Sequence, residues 1–156
     1  VKEGKNKVVS PLHAHLGYQL RLVSNAVSHA FARKLGERDV SVVEWVILRE
    51  MYAFEDGTSP SVIAAKTGLT RGAISKLIDK LLDKGLVTRS ESANDRRYQD
   101  IELTKSARKL LPQLASIADG NDEEFFAVLD GEERNYLMDI MVKLAGVHGL
   151  NTLAIE

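Results

Sequence analysis

The chain has 156 residues, 44% hydrophobic and 28% charged, with a formal net charge of −1, three prolines and no cysteine. This suits one globular domain with a real core, and the absent cysteine excludes disulfides, thiolate zinc sites and thiol redox switches. No apolar run approaches the roughly 20 residues of a membrane span, and near-neutrality argues against an indiscriminate polyanion binder.

The start, VKEGKNKVVSPLHAH, has no apolar h-region, so no secretory signal is expected and a cytoplasmic location is. Ser10 and Pro11 read as an N-cap and first helical position. Leu16, Leu20, Val23, Val27, Phe31 and Leu35 then recur at steps of three and four, predicting a long first helix that ends near Gly36. Ser41 and Glu44 form a capping box for a second helix, VVEWVILREMYAF, expected to stop at Glu55, Asp56 and Gly57. Ser59 and Pro60 open a short third helix closed by Thr67 and Gly68. Thr70 caps a fourth, with Ile74, Leu77, Ile78, Leu81 and Leu82 as its apolar stripe and Gly85 as its stop. The period then falls to about two, so 86–90 and 98–103 read as strands around a polar tip. Thr104 caps a fifth helix that Gly120 and Asn121 are expected to bend or break, and Asp130 with Glu133 starts a sixth.

Charge is unevenly spread. Residues 66–97 hold eight Lys/Arg against four acids, whereas 119–139 hold eight acids against Arg134 alone. The third and fourth helices lie inside the basic part. Ala64, Gly68 and Ile74 supply a small residue where helices cross, a turn glycine and a β-branched lock, with Ile63, Leu69 and Leu77 as matching apolar contacts. Followed at once by a strand hairpin, this spacing predicts a winged helix-turn-helix in a mainly α fold. With its stripe turned inward, the fourth helix exposes Arg71, Gly72, Ser75, Lys76, Asp79 and Lys80. Its first turns, behind Thr70, are small or basic, as an element entering the major groove must be. Ser59 and Ser61 are candidate contacts to the DNA backbone. Asp95, Arg96 and Arg97 stand at the wing tip, where Arg suits a narrow, negative minor groove and Asp95 orients an Arg or accepts backbone hydrogen bonds.

Residues 59–104 resemble the MarR/SlyA family of bacterial transcriptional regulators. The likeness is carried by LTRGAISKLIDKLLDKGLVTR, by the DRR of the wing tip and by IELT leading into the fifth helix; the helix order agrees over about 12–148. Where family members commonly carry an earlier wing Asp and Arg, this chain has Ser92 and Asn94. The resemblance implies a single domain over 1–156, with dimerisation helices at 10–36 and 104–150 and a winged lobe at 41–103 whose wing spans 86–103. It further implies a homodimer on a pseudo-palindromic double-stranded operator, repressing genes until a small aromatic or phenolic acid releases it. The broad apolar stripes of the first, fifth and sixth helices also call for a partner, which should bury Phe125, Phe126, Leu137, Ile140 and Met141.

Two weaker signals admit two readings each. Asn25 and His29 on one helix, and Trp45 and Arg49 on another, sit at i, i+4 and could line an effector pocket for an aromatic carboxylate; alternatively Trp45 is core and Arg49 an ion-pair partner. His13, His15, His29 and His148 suggest a metal-responsive regulator or simply exposed histidines, and no metal or other cofactor is expected. No P-loop, G-x-G-x-x-G or G-x-S-x-G occurs, so no enzyme is expected. The rival reading is a winged-helix scaffold that binds protein and leaves its basic face unused.

Overall fold

A computed structural model of the chain describes residues 9–92 and 99–150. Among these, a 3-10 turn (Leu12–Ala14) precedes α1 (Leu16–Gly36), α2 (Val42–Met51), α3 (Pro60–Thr67), α4 (Arg71–Asp83), β1 (Val87–Glu91), β2 (Gln99–Leu103), α5 (Lys105–Phe125) and α6 (Gly131–Val147). The helix starts follow local capping chemistry. The Glu44 N–H donates to Ser41 Oγ at 3.2 Å while the Ser41 N–H donates to Glu44 Oε2 at 2.8 Å. Asp130 and Glu133 repeat that box on α6. Ser59, Thr70 and Thr104 accept from the backbone N–H groups of Val62, Ala73 and Ala107. Each such cap contributes about 1 kcal/mol.

Three sequence expectations are not met, two of them through tertiary contacts. Ser10 and Pro11 open only the 3-10 turn; α1 begins after His15, which caps it without its side chain. The second helix ends at Met51, short of Phe54, because the chain must swing Thr58 onto the hairpin. There Thr58 and Ile101 exchange two backbone hydrogen bonds, at 2.9 and 2.8 Å. Arg108 of α5 donates to the Phe54 carbonyl at 2.9 Å, holding the released segment. The fifth helix runs unbroken through Gly120 and Asn121. Asn121 is buried, and its side-chain amide donates to the Val27 carbonyl of α1 at 3.3 Å, so packing on α1 keeps the helix continuous where propensity alone would break it.

A single core joins α2, α3, α4, the hairpin and the first half of α5. Ile47, Leu48, Ile63, Ile74, Ile78, Leu81, Ile101 and Leu114 are essentially inaccessible, each contributing about 1.5–3 kcal/mol by burial. Strand register pairs Val87 with Leu103 and Arg89 with Ile101, so these four share the face turned toward the core. Leu35 is the one buried residue of α1, and α6 has none. Phe125, Phe126 and Leu137 are half-buried, whereas Ile140 and Met141 remain exposed in a single chain. No described helix is long and apolar enough to cross a membrane.

Candidate nucleic-acid interface

The turn between α3 and α4 needs a left-handed residue, and Gly68 supplies it at φ 74°, its N–H bonded to the Ala64 carbonyl at 2.9 Å. Thr67 is buried with its hydroxyl donating to the Ile63 carbonyl at 2.8 Å. This closes the helix-turn-helix while Ile74, one turn into α4, locks into the core. The opposite face of α4 is consequently free: Arg71, Gly72, Ser75, Lys76, Asp79 and Lys80 are all exposed. Among the described residues, Arg71, Lys76 and Lys80 carry no ion pair, so their charges face solvent unneutralised.

Asp79 would blunt that face, but it is engaged. Arg89, on the core-facing side of β1 where the strand runs off the core, reaches back to Asp79 at 2.8 Å. This pair fastens the root of the wing to α4 and removes the one negative charge from the middle of the basic stripe. Sequence reading missed Arg89 because only the strand register shows which face it occupies. Thr70 and Ser59 accept their capping bonds on oxygen, which leaves each hydroxyl proton to donate outward; Ser61 is exposed one residue into α3. Asp95, Arg96 and Arg97 lie outside the described residues.

The candidate effector residues are dispersed in one chain. Trp45 is half-buried against the core, meeting Phe31 edge-on at 6.3 Å. Arg49 is exposed and lines a cleft of about 220 Å³ with Tyr52, Leu111, Pro112 and Ala115. Arg108 lies over the Tyr52 ring at 5.8 Å. Asn25 and His29 are exposed on α1. His13 packs edge-on against Tyr18 at 5.1 Å, and among the described residues no three His, Asp or Glu side chains converge.

Beneath this surface lies a buried charge that sequence reading also missed. Glu44, 3% exposed, receives Lys84 Nζ at 3.0 Å as well as the Ser41 N–H. Burial pushes its carboxyl up, but the Ser41 and Lys84 hydrogen bonds and the Lys84 charge together hold it below the ordinary carboxylate value.

This arrangement defines a winged helix-turn-helix protein. Residues 38–97, the winged lobe, match the MarR family model. The fold agrees beyond the lobe. MepR from S. aureus, solved with DNA, shares 27% identity over 85% of this chain and 98% of its own, with a TM-score of 0.76. A mutant MarR from E. coli, complexed with operator DNA, shares 20% identity over 83% and 92%, with a TM-score of 0.73. The organohalide-sensing regulator RdhR, in its 2,4-dichlorophenol-bound form, shares 18% identity over 99% and 96%, with a TM-score of 0.79.

Proposed function

We propose that the chain is a sequence-specific regulator that binds a pseudo-palindromic operator as a homodimer. The observation that carries this reading is the unneutralised basic face of α4, from Arg71 to Lys80, held beside the wing by Arg89 and Asp79. Gly72 lets the backbone approach base edges, Ser75 donates or accepts, and Arg71 or Lys76 reaches guanine O6/N7 or phosphate. The capped N-termini of α3 and α4 add partial positive charge, with Ser59, Ser61 and Thr70 there to contact phosphates. Asp95, Arg96 and Arg97 are assigned to the wing tip and the flanking minor groove. MepR and MarR, both solved on DNA, support the same role by likeness. Dimerisation through α1, α5 and α6 sets two α4 helices to successive turns of one DNA face, about 34 Å apart.

Repression relieved by a small aromatic or phenolic acid is the finer part of the reading. The dichlorophenol-bound relative and the exposed Arg49, without an ion pair among the described residues, in its cleft with Tyr52 support it. A carboxylate would pair with Arg49 while its ring packs on Tyr52. This shifts the aromatic wall from Trp45 to Tyr52, and Asn25 and His29 are not among the residues lining that cleft.

The test is a mobility shift of the purified chain on genomic fragments across a salt series. Wild type should select specific fragments, with affinity falling linearly in log salt. Arg71→Ala should weaken the selected site by roughly 1–3 kcal/mol with less effect on random duplex. A protein that retains no duplex at low salt is a scaffold and not a regulator of this kind. Salicylate should release the wild type but not Arg49→Ala.

A further inference from the structure

The C-terminal end of α4 is where three other helices meet. Lys84 caps α4, its N–H bonded to the Lys80 carbonyl at 3.1 Å. Its ammonium has three donors and three acceptors within reach: the Asp39 carbonyl at 2.6 Å, Glu44 Oε2 at 3.0 Å and Asp39 Oδ1 at 3.5 Å. Asp39 belongs to the turn that carries α1 into α2, and Glu44 is the capping carboxylate of α2. At φ 54°, Asp39 is the only non-glycine with positive φ among the described residues, a left-handed conformation that the Lys84 contact helps to hold. On the far side, the Thr104 hydroxyl at the start of α5 donates to the Gly85 carbonyl at 2.8 Å. The end of α4 is therefore clamped between the end of α1 and the start of α5.

We propose that Lys84 is a positioning residue for DNA reading: its ammonium sets the angle at which α4 leaves the dimerisation helices, and hence the separation of the two reading heads. The inference rests on the dimeric DNA-binding reading above. Lys84 lies about 19 Å along the helix from Arg71, so a 5° tilt about it moves Arg71 by about 1.7 Å. In a dimer the displacement counts twice, about 3 Å, close to the rise of one base pair. The clamp is more than a surface ion pair of negligible effect, because the Glu44 carboxylate is buried and Lys84 is the cation that meets it. Since Ile74, Ile78 and Leu81 still anchor α4 in the core and Thr104 still holds Gly85, losing the ammonium loosens the angle and leaves the helix in place.

Lys84→Met keeps the apolar stem but strands a buried carboxylate, so the decisive protein is Lys84→Met with Glu44→Gln, which removes both charges. Wild type and double variant are assayed on operator duplexes whose half-sites are moved by one base pair in either direction, and on random duplex. Wild type should show a sharp spacing optimum. The variant should keep its helical circular dichroism, its dimer mass and its random-duplex affinity. It should lose about tenfold at the optimal spacing, the order of one lost base contact, and become nearly indifferent to spacing. An unchanged spacing profile, or an equal loss on every duplex, overturns the proposal. Because the chain lacks cysteine, a spin label at Ser75→Cys reads the separation of the two helices without DNA. That distance should broaden or shift by about 3 Å in the variant, and an identical narrow distance also overturns the proposal. Wild type failing to bind any duplex removes the regulator reading instead, and the label distance still decides whether Lys84 sets the angle.

Discussion

Between Leu35 and Leu114, sixteen apolar residues close over one another into a single core, whereas α6 has no buried side chain at all. The two regions do not differ in apolar content: α6 carries Tyr136, Leu137, Met138, Ile140, Met141, Val142 and Leu144 within nine residues, at least as dense a run as in α4. They differ in what stands opposite. The face of α4 meets α3 and β1, while Ile140 is 56% exposed and Val142 62%. An apolar stripe makes a helix amphipathic but stabilises nothing until a second surface excludes water from it. In this protein the winged lobe supplies its own second surface, whereas α6 finds none among the described residues, and under the dimer reading a second copy supplies it.

The largest effect that separates the two regions comes from truncating the lobe core. Leu81→Ala should cost about 2–5 kcal/mol in urea unfolding, irrespective of protein concentration, because the cavity lies wholly within one chain. If its midpoint tracks concentration as strongly as an α6 variant does, the lobe is not self-sufficient. Ile140→Glu should act the other way. Under the dimer reading each interface carries the buried charge twice, so the dissociation constant read by sedimentation should rise about 100-fold or more while the lobe still melts cooperatively. A monomeric wild type at micromolar concentration would remove that contrast altogether.

Next in size is a local effect confined to the lobe. Thr70→Ala deletes the cap of α4 and should lower stability by about 1 kcal/mol without changing the dimer mass. The smallest effect is electrostatic and compares Glu44 with Glu124. Both carboxyls sit below their ordinary value, Glu44 through Ser41 and Lys84 against the opposing effect of burial, Glu124 through Lys34. A depressed folded-state value means stabilisation that is present above the unfolded-state value, about 4.3, and lost as pH falls through the folded one. Melting temperature should therefore fall less steeply below about pH 4.5 in Glu44→Gln than in wild type. Salt should erode the contribution of exposed Glu124 more than that of Glu44, whose carboxylate is buried.

Much of the fold was legible in the residues. The capping boxes at Ser41 and Asp130, the caps at Ser59, Thr70 and Thr104, and the turn at Gly68 all stand where their local chemistry puts them. The exposed face of α4 was equally legible, since a strong 3.6-residue period leaves one inward solution for Ile74, Ile78 and Leu81. The surroundings of the candidate effector residues were not. Sharing a helix face places Trp45 and Arg49 one turn apart, but it does not say that Trp45 turns to Phe31 while Arg49 opens toward Tyr52 and Pro112.

By itself, then, the sequence determined where the helices from α2 onward start, where the chain turns and which side of α4 faces outward, because capping, glycine freedom and periodicity act within a few residues. The tertiary structure alone decided that α2 stops at Met51, that α5 continues through Gly120, that Arg89 masks Asp79 and that Lys84 gathers the ends of α1 and α2. Each of these depends on a partner from another element: Arg108 for Phe54, Val27 for Asn121, Asp79 for Arg89, Glu44 for Lys84. A hydrogen bond between groups that only folding brings together leaves no periodic trace along the chain.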